Sequence, residues 1–462
     1  MNDLIIPLDM NSREPIYEQI YRYIKEEIKN GSLPFHGRLP STRALAKHMQ
    51  ISRSTVDMAY SQLTAEGYLE AVPCKGYFVA QIDELYVSEK QPQKAEQKPQ
   101  AVEQPCLYDF SPRGIDLQNF PYNIWRKLTR NTLIDDRKEI FELGDSMGDY
   151  NLRETICRYL HQARGVNCSP EQMIIGAGNE YLLMRLSQLL PKGCRIAMEN
   201  PTYRQAYRVF KGLGHEVVPV SMDEYGMKVE ELAKSDALIS YVMPSHQFPL
   251  GVVMPIKRRL ELLAWADEGR RYIIEDDYDS EFRYRGKPIP SLQGVDRKDC
   301  VIYIGTFSKS VAPAIRLSYM VLPNSLLERC EQFNFYSSTV SRIDQNIMDS
   351  FIREGYFERH LNRMRAVYKA KHDVLMGELK ELKGFTISGE NAGLHVLLTE
   401  KGGRSEEELI RLARSFEVRV YGLSDYYITE NTKQQKTVVL GYANMTEQEI
   451  REGIRRLKEA WK

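Results

Sequence analysis

Two segments in the C-terminal half of the chain contain the residue types that cofactor chemistry needs. The first, RYIIEDDYD, is an apolar run that ends in Glu275, Asp276 and Asp277. The second, CVIYIGTFSKSVAPAIR, ends its apolar run at Thr306 and places Lys309 three residues later. In parallel α/β sheets, ligands bind beyond the carboxyl ends of the strands. The two segments therefore predict a site that combines a carboxylate, a lysine amine and hydroxyl groups.

These groups have the chemistry that pyridoxal 5′-phosphate (PLP) requires. The amine of Lys309 can form a Schiff base with the cofactor's aldehyde, and the carboxylate of Asp276 can keep the pyridine nitrogen protonated. Hydroxyls, an arginine and the N–H groups at a helix start can hold the phosphate. The candidates are Thr306, Ser308, Arg316 and the turn GAGNE at 176–180. Taken singly, these features are also common as helix caps and solvated side chains, but their joint order favours a cofactor site.

The elements that position these groups fall into three parts. Residues 107–462 alternate short β-branched runs with helical stretches, which predicts an α/β domain with a mainly parallel sheet. Residues 83–106 are rich in Gln, Lys, Glu and Pro, and they predict a flexible linker because they cannot bury enough apolar surface to become ordered. Residues 1–82 then form a separate domain. A long loop within one domain is the alternative, but such loops are uncommon.

The N-terminal domain contains three helical patterns and two short strand patterns. Isoleucines recur every four residues from position 16 to position 28, and Ser41 and Ser52 stand where N-caps of two further helices belong. Strands are predicted over 68–72 and 77–80, with the turn PCKG between them. Three helices and a hairpin predict a winged helix-turn-helix, whose third helix enters the major groove of DNA.

Charge in this domain is arranged as nucleic-acid binding requires, although the formal net charge of the whole chain is zero. Positions 35 to 56 contain four Lys or Arg residues and no Asp or Glu. The start of the third helix carries hydroxyl and guanidinium donors, which can reach phosphates and base edges. On spacing alone, a small helical bundle with a solvated basic face is the alternative.

Three motifs between positions 15 and 79 resemble the DNA-binding domain of GntR-type regulators. They are R-L-P-S-x-R-x-L-A, then I-S-R-S-T-V-x-x-A-Y-x-x-L-x-x-E-G-Y-L, then K-G-Y-F-V, in this order. The resemblance implies a double-stranded DNA operator as partner. It assigns the DNA contacts to Arg43, Ser52, Arg53, Ser54, Thr55, Lys75 and Gly76.

From about residue 109 to 461 the chain resembles fold-type I aminotransferases of class I, through S-K-x-x-x-P-x-x-R at 308–316 and E-D-D-Y at 275–278. The resemblance implies that Tyr278 contacts the phenolic oxygen of PLP, that Tyr203 stacks on the ring, and that Gly178 and Asn179 contact the phosphate. A GntR-type domain fused to such a domain is typical of the MocR branch of GntR regulators, as is P-S-H-Q-F-P-x-G at 244–251. It implies a homodimeric, PLP-dependent transcription regulator that senses a small amine, an amino-acid-related compound or PLP.

Three positions depart from active class I aminotransferases. Phe248 replaces the asparagine that reaches the phenolic oxygen, Val439 stands where an arginine grips the substrate carboxylate, and Leu143 stands where a neighbouring subunit's tyrosine meets the phosphate. Losing the arginine removes a bidentate contact that orients the substrate, so we expect transamination to be weak or absent.

Arginine or histidine side chains could substitute for the missing arginine, and the candidates are Arg204, Arg419 and His246. An aminotransferase with an accessory DNA-binding domain and a DNA-binding protein with a mere dimerisation scaffold are the alternatives.

Other classes of protein are disfavoured by composition. No stretch approaches the roughly 18 to 20 apolar residues of a membrane helix, and the N-terminus does not resemble a signal peptide. The seven cysteines are scattered, odd in number and without a CxxC pair, which argues against a disulfide framework and a zinc site. We therefore expect a cytoplasmic protein with no metal centre.

Overall fold

The computed structural model describes residues 6–10, 12–81, 106–134, 138–284, 289–331, 338–429 and 436–462. The chain divides into two compact units, residues 1–103 and 104–462. Apart from Cys106, the linker predicted over 83–106 lies outside the described residues.

The first unit has the helices and the hairpin that the sequence predicts. Its elements are α1 (Ile16–Lys29), α2 (Thr42–Met49), α3 (Arg53–Ala65), β1 (Leu69–Val72) and β2 (Gly76–Val79). The side chain of Ser41 caps α2 by accepting a hydrogen bond from the N–H of Ala44, and Ser52 caps α3 by accepting one from Thr55 (3.2 Å each). Both predicted caps are confirmed. Gly76 belongs to β2, where it pairs with Val72, so the turn is one residue shorter than predicted.

The second unit alternates strands and helices through most of its length. In chain order its elements are β3 (Tyr108–Asp109), α4 (Tyr122–Ile134), α5 (Tyr150–Arg164), β4 (Met173–Gly176), α6 (Asn179–Leu189), β5 (Arg195–Asn200), α7 (Arg204–Gly212), β6 (Glu216–Asp223), β7 (Gly226–Met227), α8 (Val229–Ala233), β8 (Ile239–Val242), α9 (Ile256–Gly269), β9 (Tyr272–Asp277), β10 (Val301–Thr306), β11 (Ser318–Val321), α10 (Asn324–Glu331), α11 (Arg342–Arg353), α12 (Tyr356–Leu379), β12 (Phe385–Ser388), β13 (His395–Glu400), α13 (Glu406–Ser415), β14 (Val418–Arg419), β15 (Tyr421–Gly422), β16 (Thr437–Gly441) and α14 (Glu447–Ala460).

The large sheet of this unit has the strand order β4-β11-β10-β9-β8-β5-β6-β7. Strands β6, β5, β8, β9 and β10 run parallel, and β11 is antiparallel to its neighbours β10 and β4. The predicted mainly parallel sheet is therefore confirmed. In the β9–β10 pair Asp276 lies opposite Ile304, so the two strands end side by side. The acid and the lysine of the sequence prediction thus follow neighbouring strands.

A smaller antiparallel sheet, in the order β12-β13-β16-β15, lies towards the C-terminus. The short strands β3 and β14 pair in parallel as a separate two-stranded sheet. Within the described ranges, no helix combines the length and the apolar character that crossing a bilayer requires.

A buried ion pair holds the end of β9. The guanidinium of Arg164, at the end of α5, donates a hydrogen bond to Asp277 at 2.9 Å, and both side chains are almost fully buried. Tyr303 of β10 donates a second hydrogen bond to the same carboxylate oxygen of Asp277 at 2.5 Å. Further contacts of Arg164 with Ser245 and with the carbonyl of Ile289 satisfy the rest of its guanidinium.

Replacing Asp277 by Ala should leave the charge of Arg164 buried without an anion. Breaking a buried pair in this way costs about 3 to 5 kcal/mol, so the free energy of unfolding of the second unit should fall by that amount in urea titrations. The matched control is Asp267→Ala, whose carboxylate pairs with Lys298 at 3.2 Å on the surface and should contribute less than about 1 kcal/mol. Equal losses in the two variants would contradict this account of β9.

Candidate functional site

Asp276 presents its carboxyl at the end of β9 from a buried position. One carboxylate oxygen accepts a hydrogen bond from the side-chain amide of Asn179 at 3.3 Å, and the other accepts one from the hydroxyl of Tyr241. Burial raises the pKa of Asp276 to about 7 despite these hydrogen bonds. A nearby cation favours the ionised form of such a carboxyl. The environment therefore fits the protonated pyridine nitrogen of PLP.

Hydroxyl groups cluster where β10 ends. Thr306 donates a hydrogen bond to the hydroxyl of Ser308 at 3.0 Å, and Ser318, at the start of β11, donates one to Thr306 at 2.9 Å. Ser318 pairs with Thr306 on one side and with Gly176 on the other. The sheet thus aligns these hydroxyls with the turn that leads from β4 into α6.

That turn packs directly against Arg316. The guanidinium donates to the carbonyl of Ala177 and to the carboxylate of Glu180, both at 3.1 Å. Gly178 has a φ of +98°, and a Cβ at this position would lie 2.1 Å from Nη2 of Arg316. The positive φ favours glycine here, and the missing side chain lets the guanidinium of Arg316 lie against the backbone at the start of α6, where N–H groups can bind an anion. An arginine, hydroxyls and a helix start with a glycine cradle fit a phosphate group.

Asn179, expected at the phosphate, has a different contact, since its amide nitrogen reaches Asp276. Its other side-chain atom, Oδ1, is buried and has no hydrogen-bond partner among the described residues. An acceptor left in this state carries a free-energy cost unless a donor arrives. Oδ1 of Asn179 can therefore accept a hydrogen bond from a ligand that binds beside Asp276.

Tyr278 and Tyr203 lie around the same strand ends. The hydroxyl of Tyr278 is 2.9 Å from Nδ1 of His246, and that nitrogen is also 3.0 Å from both carboxylate oxygens of Asp279. Burial raises the pKa of Tyr278 well above its ordinary value, so the phenol remains protonated. Tyr203 points its hydroxyl to the carboxylate of Glu180 at 3.4 Å.

The amine of Lys309 lies in an environment that disfavours its charge. It donates a hydrogen bond to the carbonyl of Pro112 at 3.0 Å. The pKa of Lys309 is lowered to about 8, mainly because burial disfavours the charged amine; the charge of Asp279 opposes the shift, and that of Arg113 contributes to it. A lysine with a lowered pKa is a better nucleophile near neutral pH.

The three departures from the aminotransferase pattern are apolar in the structure. Val439 is fully buried on β16, where it pairs with Leu397 and Tyr421. Phe248 packs edge-on against Tyr426, with ring centroids 5.0 Å apart. Leu143 is 89% exposed. No charged group replaces the carboxylate-binding arginine at position 439 itself.

The candidate substitutes for that arginine have other contacts. Arg204 donates through Nη1 to the carbonyl of Asp425 at 3.2 Å, but its Nε is buried without a partner among the described residues. The guanidinium of Arg419 lies over the ring of Tyr421 at 5.4 Å. His246 is bound to Asp279, although its Nε2 is buried and lacks a partner among the described residues.

Several residues around this pocket escaped the sequence analysis. Tyr241 and Ser318 contact predicted site residues, and Pro112 contacts Lys309 from 197 positions away in the chain. None belongs to a motif, so only the folded chain reveals them. The strand-end position of Tyr241 in β8, next to β9, is the one signal that could have indicated it.

In the first unit, the predicted DNA contacts lie at the start of α3 and on the hairpin. Arg43, Ser52, Arg53, Ser54 and Lys75 are exposed, and Thr55 and Gly76 are half-buried. The hydroxyl of Ser52 lies 2.8 Å from that of Ser54 and 2.7 Å from that of Thr55. Arg53 makes an exposed ion pair with Asp57 at 3.4 Å, an acidic neighbour that the sequence analysis did not weigh.

Comparisons with known proteins agree with both units. Residues 16–79 match the family of bacterial regulatory proteins of the gntR family, and residues 116–457 match aminotransferase class I and II. The chain is 41% identical to the HTH-type transcriptional regulator YdeL of Bacillus subtilis, over 97% of each chain. It is 31% identical to the probable rhizopine catabolism regulatory protein MocR of Rhizobium meliloti, over 99% of this chain and 96% of that protein. The chain belongs to the MocR-type regulators of the GntR family.

Its regulator relatives thus have the same two-part architecture, as the sequence predicts. Among solved structures, the kynurenine aminotransferase of Pyrococcus horikoshii in complex with PMP is similar with a TM-score of 0.70 and 25% identity, over 78% of this chain and 91% of that one. The predicted fold-type I architecture is confirmed. Aminotransferases of this fold depend on PLP, and the residues of this MocR-type chain described above fit that cofactor.

The lowered pKa of Lys309 predicts how PLP uptake by the cofactor-free protein depends on pH. The neutral amine attacks an aldehyde, and its fraction grows as pH rises through the pKa of about 8. The uptake rate should therefore rise about tenfold from pH 7 to pH 9 and then level off, whereas an ordinary lysine would gain about a hundredfold over this range. Stopped-flow absorbance measures the rate, with N-acetyl-lysine as the reference amine. A hundredfold gain in the protein would contradict the shift.

Proposed function

We propose that this protein is a PLP-dependent transcription regulator whose first unit binds an operator and whose second unit senses a small molecule. The proposal rests on the neighbouring parallel strands β9 and β10, of which one carries Asp276 near its end and the other precedes Lys309, and on the turn at Gly178 that packs against Arg316. The relatives of the chain include an HTH-type transcriptional regulator and a catabolism regulatory protein. PLP, when bound, supplies an electrophilic aldehyde and an electron-accepting ring. A DNA-bound regulator works where the chromosome is, so we assign it to the cytoplasm.

Each residue of the site would contact a different part of PLP. Asp276 would hold the proton on the pyridine nitrogen, and Tyr278 would donate to the phenolic oxygen. The phosphate would lie between the hydroxyls at the end of β10, Arg316 and the backbone N–H groups of the turn at Gly178. The side chain of Tyr203 would cover the ring, and Lys309 would bind the aldehyde carbon.

The apolar surroundings of Val439 favour sensing over turnover. An aminotransferase must hold the substrate carboxylate so that one bond lies perpendicular to the ring, and orientation of this kind is worth several kcal/mol of barrier. At position 439 the chain has packing instead of a clamp. A regulator needs a ligand with different affinities for two arrangements of its DNA-binding units. A ligand that is not consumed can maintain that difference.

Lys309→Ala should abolish the covalent link between PLP and the protein. Wild-type protein incubated with PLP and reduced with borohydride should carry a stable adduct on Lys309, found by peptide mass spectrometry, together with a visible absorbance band before reduction. The variant should show neither. The control is Lys298→Ala, which removes an exposed lysine and should leave the adduct intact. An adduct of wild-type yield in Lys309→Ala would disprove the assignment.

Binding to DNA would use the exposed start of α3 and the tip of the wing. The residues we assign to this role are Arg43, Ser52, Arg53, Ser54, Thr55, Lys75 and Gly76. Hydroxyls and guanidinium groups at a helix N-terminus can donate to phosphates, and the helix dipole favours the same anion. The surface pair between Arg53 and Asp57 is worth less than about 1 kcal/mol, so DNA can displace it.

Arg53→Ala should weaken binding to a duplex that the wild-type protein selects from a random-sequence pool. If Arg53 contacts phosphate, the slope of log affinity against log salt should drop by about one unit; if it reads a guanine, one base position should relax at a cost of about 1 to 3 kcal/mol. Arg22→Ala is the matched control, since Arg22 is equally exposed (61% against 66%) and also paired. Arg53→Ala with the affinity and salt slope of the wild type would remove Arg53 from the interface.

We also assign a homodimer to the second unit. Phe141 and Leu143 are 74% and 89% exposed, and Ile134 nearby in the chain is 59% exposed. Large apolar side chains that are exposed close together commonly mark an interaction surface. A second copy of the chain is the partner that the MocR-type architecture implies for this surface.

A further inference from the structure

The pocket needs a positive group for any anionic ligand, and the segment that precedes α4 provides one. The carbonyl of Pro112 accepts the hydrogen bond of the Lys309 amine at 3.0 Å. Arg113 is the next residue, and its side chain is exposed. A guanidinium is therefore attached to the backbone unit that contacts the reactive amine.

This segment is firmly held against the strand that carries Val439. The N–H of Gly441, in β16, donates to the carbonyl of Phe110 at 2.9 Å. A Cβ on Gly441 would lie only 2.2 Å from the carbonyl oxygen of Ser111, so the segment can lie this close because position 441 has no side chain. The N–H of Phe110 donates to Arg419 of β14 at 3.0 Å. The backbone before Arg113 is thus fixed beside the strand on which the family's arginine is missing.

The charge of Arg113 acts on several groups of the pocket at once. It lowers the pKa of Lys309, and it opposes the rise that burial causes in the pKa of Tyr203 and of Tyr426. Electrostatic effects fall with distance, so these shifts agree with the place of Arg113 in the chain, directly after the residue whose carbonyl contacts Lys309 at 3.0 Å. Within the part of the chain that the structure describes, Arg113 has no carboxylate at ion-pair distance, whereas Arg204 and Arg419 have other contacts.

We propose that Arg113 is the anion receptor of the pocket and selects effectors that carry a carboxylate as well as an amine. The inference rests on the proposed function, since the amine of the effector is taken to lie at Lys309. Arg113 replaces, from a different segment, the contact that Val439 cannot make. Its guanidinium can bind a carboxylate through two parallel hydrogen bonds, a geometry that lysine cannot reproduce.

The test compares acids with their amides on full-length, PLP-loaded protein. Isothermal titration calorimetry with alanine, β-alanine and 4-aminobutanoate, each beside its primary amide, measures how much the carboxylate contributes. For at least one pair, the wild type should bind the acid more tightly, by about 10- to 100-fold, as expected for hydrogen bonds between charged groups. Arg113→Ala should lose this preference because the affinity for the acid falls more than the affinity for the amide, and Arg113→Lys should recover part of it. Arg204→Ala is the matched control and should keep the preference.

Three results would overturn the proposal. In the first, the wild type binds no acid more tightly than its amide. In the second, Arg113→Ala keeps the wild-type preference for the acid over the amide. In the third, Arg204→Ala loses this preference while Arg113→Ala keeps it. Borohydride trapping on the same samples separates this failure from that of the proposed function. An adduct on Lys309 with any of these results overturns the role of Arg113 alone, and absence of the adduct from the wild type overturns both.

Discussion

The site depends on the buried ion pair between Arg164 and Asp277. Strand side chains alternate between two faces, so Glu275 and Asp277 point away from the face that Asp276 occupies. Glu275 accepts the N–H groups of Leu292 and Gln293 at 2.7 and 2.9 Å, and Asp277 receives Arg164 and Tyr303. Two of the three consecutive acids thus anchor the strand end. The third, Asp276, faces the site, where burial raises its pKa and disfavours the ionised form unless a cation is present.

Much of the fold could be predicted because its signals are local. The serine caps of α2 and α3 and the four-residue spacing of isoleucines in α1 act within a few positions of the chain, and both were read correctly. The acid and the lysine lie at the ends of apolar runs that are typical of buried parallel strands, although no α-helix connects β9 to β10 among the described residues. The sequence predicts that Gly76 belongs to the turn, whereas in the structure it begins β2. Whether a glycine ends a turn or begins a strand depends on its partner across the hairpin, here Val72.

The rest of the site depends on contacts between distant segments. The hydrogen bond from Lys309 to Pro112 spans 197 positions, and the one from Arg164 to Asp277 spans 113. Tyr241 reaches Asp276 because β8 and β9 are neighbours in the sheet, which no motif states. The residues with the required chemistry could therefore be predicted from the sequence. The groups that shift their pKa values could not, because predicting them requires the order of the strands and the paths of the loops.

The ion pair between Arg53 and Asp57 has a consequence for how the protein moves on a chromosome. Any phosphate that approaches Arg53 must replace an anion that the helix already carries four residues further on. Where Arg53 contacts phosphate, as one form of the proposal has it, this exchange costs the same at every DNA sequence, so it weakens binding to bulk DNA and to the operator by the same factor. Most of the time that a regulator spends searching is spent on bulk DNA, because non-operator sites are in vast excess. With the proposed phosphate contact, Asp57 would thus shorten each stop on bulk DNA and leave the discrimination between sites unchanged.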